Sequence, residues 1–405
     1  MNIKLKAAGL FLLFTTMIFS QEGEVKAPKF GKGIFNIVGK DSTWSMKMAF
    51  RMQLLSAANW DASNDQINHI QNGTHGFMVR RSRIKLDGFV YDPQFEYKVE
   101  LGLSNSDMSG TSVYTANTPR YIMDAVVMWN FYKNLTLWAG QTKLPGNVER
   151  VISSANLQLV DRSLLNGVFN IDRDMGVQLR HHFTLGTNFL IREKVAFSQG
   201  EGRNVVTGNL GGNMYTARIE VLPFGSFTKD GDYSGSDLVR EPKPKLSLAS
   251  TYDFNNKAVR TRSNQGTYMV NDIGYHETDI TTLFVDAVFK YKGFSFMGEY
   301  ANRDADDPIA KNSDGTLTGD IVQIGDALNL QGGYLFKNNY EVAFRYTNLE
   351  LDKNIINKGI QEQYTLGLSK FIVGHKLKVQ TDVSYLADTY RSDKVTWRLQ
   401  LDVHF

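Results

Sequence analysis

From Trp44 to the last residue, apolar and polar positions alternate in segments of about ten residues separated by turn-forming residues. The final segment is the clearest. Val395, Trp397, Leu399, Leu401, Val403 and Phe405 share one parity, and Thr396, Arg398, Gln400, Asp402 and His404 share the other. A period of two places these sets on opposite faces of a strand, one apolar and one wet. Phe95, Tyr97, Val99, Leu101 and Leu103 alternate in the same way with Glu96, Lys98 and Glu100. So do Tyr340, Val342, Phe344 and Tyr346 with Glu341 and Arg345, and Leu377, Val379, Val383 and Tyr385 with Lys376, Lys378, Gln380 and Asp382.

Counted along the chain, the pattern predicts about sixteen strands, near 44–55, 76–91, 94–104, 121–131, 134–142, 174–184, 187–198, 212–222, 244–254, 279–291, 293–303, 325–336, 339–350, 361–371, 375–387 and 394–405. Long polar links follow odd-numbered segments, at 56–75, 105–120, 255–278 and 304–324. Very short ones follow most even-numbered segments, as at Asp92-Pro93 and Tyr291-Lys292-Gly293. An even number of such strands with loops sorted by parity predicts an all-β fold, a single antiparallel transmembrane β-barrel, because closure satisfies every backbone group in lipid. A soluble sandwich has no reason to sort its loops. Residues 223–243 break the rule, being long after an even segment, and are read as one long turn at the short-turn end or else as a miscounted strand.

The first twenty residues follow a different pattern. Lys4 and Lys6 precede an uncharged apolar run, Ala7 to Phe19, and Ser20 is a small residue before Gln21. This is the layout of a cleaved secretory signal, and the run is too short to span a bilayer. The predicted organisation is a signal peptide at 1–20, a short periplasmic segment at 21–43 and a barrel at 44–405.

Composition adds little to this picture. The 405 residues are 42% hydrophobic and 12% aromatic, with 35 Gly and no Cys, which excludes disulfides and thiolate metal sites. Mean hydropathy is -0.30, unlike a helical membrane protein. A formal charge of +3 gives no electrostatic case for nucleic acid. Tyr91, Trp129, Phe131, Tyr252, Phe254, Tyr291, Phe336 and Tyr346, near segment ends, suit the aromatic girdles of a barrel.

Three stretches go beyond a generic barrel. They are Arg80-Arg81-Ser82-Arg83-Ile84-Lys85-Leu86-Asp87-Gly88 leading into Tyr97-Lys98-Val99-Glu100; Gly140-Gln141-Thr142-Lys143-Leu144-Pro145-Gly146 followed by Glu149 and Val160-Asp161-Arg162-Ser163; and Phe30 to Gln53 with Gly31-Lys32-Gly33 and Phe50-Arg51-Met52-Gln53. In this order the chain resembles the phosphate-selective porin O and P family. The resemblance implies a sixteen-stranded homotrimeric barrel of the bacterial outer membrane, an inward-folded third outer loop and a pore lined by Arg and Lys that favours anions. Phe405 at the end of an amphipathic strand resembles the signal read by the barrel-assembly machinery.

Strand parity assigns the lining. With Ile84, Leu86 and Val90 on the lipid side, Arg81, Arg83, Lys85 and Asp87 face the lumen, and Arg80 falls on the outer face. The same parity places Lys98, Arg180, Arg218, Arg345, Lys376, Lys378 and Arg398 inside, together with Glu96, Glu100, Glu220, Asp286, Glu299, Glu341, Asp382 and Asp402. The predicted lining is close to charge-balanced. The expected function is passive diffusion of small hydrophilic solutes with a mild preference for anions, phosphate or polyphosphate among them. The alternative is a non-channel barrel serving as adhesin or receptor.

The 143–173 segment interleaves Lys143, Glu149, Arg150, Asp161 and Arg162 with Val148, Val151, Ile152, Leu157, Leu159, Leu164 and Leu165. So apolar a loop is expected to fold into the mouth and narrow it, with a surface lid or a trimer contact as the alternative. No cofactor, metal site or enzyme is expected. His181 and His182 point to opposite faces, the Asp304-Asp306-Asp307 and Asp61-Asn64-Asp65 groups lack a calcium loop's spacing, and nothing brings Ser104 to His181.

Overall fold

The computed structural model describes residues 29–63, 66–353, 355–356 and 359–405, so the predicted signal at 1–20 and Asn64 and Asp65 lie outside the described residues. Sixteen strands form the barrel: β1 Ser45–Ser63, β2 Gln66–Val90, β3 Asp92–Gly102, β4 Ile122–Tyr132, β5 Leu135–Lys143, β6 Arg173–Leu185, β7 Phe189–Ser198 and β8 Met214–Leu222; then β9 Lys245–Ala258, β10 Thr278–Tyr291, β11 Phe294–Ala305, β12 Gly325–Leu335, β13 Tyr340–Leu351, β14 Gln361–Phe371, β15 Leu377–Asp388 and β16 Asp393–His404. Each pairs antiparallel with its sequence neighbours, and β1 closes on β16 in a register running from Arg51↔His404 to Ala62↔Asp393. Closure leaves the sheet without a free edge. A short strand, Phe35–Val38, pairs with the start of β1 inside the 21–43 stretch expected to be a short periplasmic segment.

The alternation drives the wall. On β10, Leu283 and Val285 are exposed on the lipid face, whereas Thr282, Phe284 and Asp286 are buried. Tyr91, Trp129, Phe131 and Phe336 are likewise exposed near strand ends, whereas Tyr252 is exposed in the middle of β9.

Three expectations are corrected. Residues 56–75 are not a polar link: β1 and β2 continue as a paired ladder, Ser56↔Phe77 through Ser63↔Gln66. The 255–278 and 304–324 links carry small hairpins, Arg260–Arg262 with Gln265–Tyr268 and Ile309–Lys311 with Leu317–Ile321. Arg80 is not on the outer face. Gln53 pairs with Arg81 and Leu54 with Val79, so Arg80 is the extra residue of a β-bulge, and the bulge turns it in to bond Asp161.

The 223–243 link contains no strand, and β8 and β9 pair directly across it, so the count of sixteen stands. The link is bound to the wall's inner face. Lys290 Nζ donates to the carbonyls of Gly231, Ser234 and Ser236 at 2.6, 2.8 and 2.7 Å, and Ser236 Oγ donates to Glu341 at 2.6 Å.

Residues of the third long link, 144–172, bond to the same face. Asn147 Nδ2 and Glu149 N donate to Glu299 Oε1 at 3.1 and 2.7 Å, and Val160 N donates to Asp382 at 3.0 Å. Gln158 Nε2 donates to Glu341 at 2.8 Å, and Arg51 donates to Ser154 at 2.8 Å. Leu165, Phe169 and Ile171 pack with inward Ile280, Phe284, Ala301 and Ala327, and Val148, Ile152 and Leu157 pack with Leu222, Val288 and Met297. Each such side chain contributes ~1.5–3 kcal/mol on burial. The two links meet where Gly235 N donates to the Asn156 carbonyl at 2.8 Å.

Candidate functional site: a cationic cavity

The inward residues left uncovered by these links enclose a cavity of about 340 Å³ against β2–β6. Alternation on β2 supplies Arg81 and Arg83, the bulge adds Arg80, β3 gives Lys98, the end of β5 gives Lys143, and β6 gives Arg173 and Arg180. The third link adds Arg150 and Arg162, and the next long link, 199–213, adds Arg203. Ten cations therefore line it, against the carboxylates Glu100, Asp107 and Asp172 in the lining and Asp124 and Asp161 bonded to its cations.

Two kinds of partner hold the cations. Arg83 bonds Glu100 at 2.9 Å and Asp107 at 2.6 Å, Lys98 bonds Asp124 at 2.7 Å, Arg173 bonds Asp124 at 3.0 Å, Arg80 bonds Asp161 at 2.9 Å, and Arg150 pairs with Asp172. The rest are oriented mainly by neutral acceptors. Lys143 donates to the carbonyls of Arg150, Val151 and Ile152 at 2.8, 3.1 and 3.2 Å. Arg162 donates to those of Glu149 and Ile152 at 2.9 and 2.7 Å. Arg180 donates to Gln178 Oε1 at 2.7 Å, and Arg81 to Gln53 Oε1 at 2.8 Å. A carbonyl satisfies a donor without cancelling its charge, so the wall keeps a net positive field.

The other predicted lining residues lie elsewhere. Lys85 pairs with Asp87 at 2.9 Å. Arg218 is clamped to Asp286 at 2.6 Å and Glu220 at 2.8 Å. Arg345 donates to the Asp161 carbonyl at 2.7 Å, Lys378 to that of Leu157 at 3.0 Å, and Arg398 to Asp382 at 2.6 Å. Glu149 accepts from Ser163 N at 3.1 Å and Ser163 Oγ at 2.5 Å. Arg345 and Lys378 tie the third link to the wall, and Arg218 and Arg398 tie strand to strand. Sequence parity had no means of finding Arg80, Arg173 or Arg203, which sit in a bulge, at a strand's first residue and in a loop.

The apparent charge balance of the inner face is divided in space. Glu220, Asp286, Glu299, Glu341 and Asp382 are all engaged on the half covered by the two links. A second cavity of about 570 Å³ toward the long-loop end is lined by Arg120, Arg260 and Arg262, and shares Asp172, Arg173 and Arg203 with the first.

No curated relative matches the chain by sequence. Among solved structures it is similar to the anion-selective porin from Comamonas acidovorans, at 12% identity and a TM-score of 0.54, over 89% of this chain and 100% of that one. It is also similar to Pseudomonas putida OprB, at 10% identity and TM-score 0.52, over 94% and 100%, and to the outer membrane channel DcaP of Acinetobacter baumannii, at 13% and 0.51, over 90% and 99%. At these identities the likeness shows the fold, a closed antiparallel β-barrel. The family model for phosphate-selective porin O and P matches residues 53–403, nearly the whole barrel, and the chain belongs to that family.

Proposed function

We propose that the protein is a passive outer-membrane channel whose conducting path runs through the cationic cavity and favours anions, phosphate and polyphosphate among them. Its family makes it an outer-membrane porin for small solutes. The observation that carries the anion preference is the surplus of cations over carboxylates around the cavity, with Lys143 and Arg162 held by backbone carbonyls. A water-filled passage through such a wall concentrates anions and excludes cations. Arg adds a planar fork suited to phosphate oxygens.

In this reading the 144–172 link is the inward-folded third outer loop and sets the bore, with Lys143, Glu149, Arg150 and Arg162 as its charged residues. Its apolar side chains find inward-facing partners, and its backbone amides find inward-facing carboxylates. Residues 1–20 are a cleaved export signal, 21–43 are a short periplasmic segment, the working unit is a homotrimer, and the strand ending in Phe405 is the handle for the assembly machinery. Phe405 N donates to the Phe50 carbonyl at 2.9 Å, so the last residue completes the β16–β1 seam.

Liposome swelling with the purified protein tests the proposal. Small anions should enter faster than neutral solutes of equal size, and cations slower. Equal rates for all three would overturn it.

A further inference from the structure

The cavity is larger and less uniformly polar than a tetrahedral oxyanion needs. At about 340 Å³ it falls in the range of sites for small organic molecules. Trp138, Met123, Leu144 and Val151 line it beside the cations. Trp138 and Arg180 form a defined unit. The guanidinium carbon of Arg180 lies 3.5 Å from the Trp138 ring centroid, and Gln178 Oε1 accepts from its Nε at 3.3 Å and its Nη2 at 2.7 Å. The two contacts fix the guanidinium against the indole and leave a flat, positively charged platform in the wall.

We infer that the cavity selects organic anions that carry a flat apolar body, of which an aromatic dicarboxylate is the simplest, over inorganic phosphate and over aliphatic dianions of equal charge. This deepens the channel reading above and rests on it. A ring laid along the Trp138–Arg180 unit gains stacking and dispersion that a hydrated oxyanion cannot. Its carboxylates meet cations such as Lys143 and Arg162, whose hydrogen bonds go to backbone carbonyls. Charge admits the ion; the platform chooses among anions.

The test is block of chloride current through purified full-length protein in planar bilayers, with phthalate, succinate or inorganic phosphate added to one side. Wild type should be half-blocked by phthalate at a concentration at least fivefold below that for succinate or phosphate. Trp138→Leu should bring phthalate level with succinate, and Arg180→Lys, which keeps the charge and loses the plane, should narrow the gap. Equal half-block by phthalate and succinate in wild type overturns the inference without need of a variant, and so does an unchanged gap in folded Trp138→Leu. A wild type that is cation-selective in KCl alone overturns the channel reading itself.

Discussion

Replacing Lys143 and Arg162 together by Gln removes two positive charges while keeping amide donors for the carbonyls both side chains now bind. Taken as a sphere, the 340 Å³ cavity has a radius of about 4.3 Å, so an ion at its centre sits about that far from the wall charges. At that distance one unit charge is worth about 1 kcal/mol with water's dielectric constant and about 4 kcal/mol at an effective value of 20. Two charges in the weaker limit give about 2 kcal/mol, and screening at physiological salt lowers this to about 1 kcal/mol. The chloride-to-potassium permeability ratio should therefore fall at least about fivefold, since 1.4 kcal/mol is a factor of ten. The assay is the reversal potential across a bilayer under a KCl gradient, with single-channel conductance recorded alongside to show that the bore is kept. An unchanged reversal potential at unchanged conductance would refute the assignment of these two cations to the conducting path.

Three further outcomes are expected. Replacing residues 148–170 with a short Gly/Ser bridge should raise single-channel conductance; unchanged or lower conductance would mean that the link does not set the bore. Lys290→Met leaves the Ser234 carbonyl without its donor, at ~1–3 kcal/mol for a buried group left unpaired, and leaves those of Gly231 and Ser236 with only the bonds from Ser234 N at 3.2 Å and Ser234 Oγ at 3.4 Å, so limited proteolysis should cut the 223–243 link faster while the barrel keeps its heat-shifted mobility on gels. In the 199–213 link, Glu201 Oε1 accepts from the amides of Leu210 and Gly211 at 3.0 and 3.2 Å, Oε2 is buried without a partner, and burial pushes the carboxyl from 4.5 up to about 7. The folded link thus holds this proton more tightly than the unfolded one, and its stability falls as pH rises from 4.5 to about 7 and is level above. Amide exchange at Leu210 and Gly211, taken relative to Glu201→Gln, should show protection declining through that window, and a flat ratio would contradict the sign.

The parity of side chains along β16 or β13 reads directly from the sequence because each such strand is paired on both sides and has one face in lipid, which demands apolar residues at every second position. Strand number and the sorting of links by end follow from the same constraint. What parity cannot see is a residue that breaks it. Arg80 looks outward by counting and is turned in by the bulge opposite Gln53 and Leu54. Nor can parity see which inner-face charges are spoken for. Glu299, Glu341 and Asp382 count against Arg81 and Arg83 in a tally, yet they accept hydrogen bonds from Asn147, Glu149, Gln158 and Val160, more than a hundred positions away in the chain. Parity also gives no reason for apolar residues on the inner face, and Ile280, Phe284 and Val288 pack there against the third link's side chains. Those partners come from another part of the chain, so local pattern holds no record of them.

The central claim is that acids tied up with the two links leave a cationic path through one side of the barrel. The measurement that bears on it most directly is the zero-current potential of the purified wild-type protein in a planar bilayer under a KCl gradient. The account predicts ohmic channels with a potential of the sign set by chloride. Channels whose potential has the sign set by potassium, or folded protein that inserts and does not conduct, would contradict it.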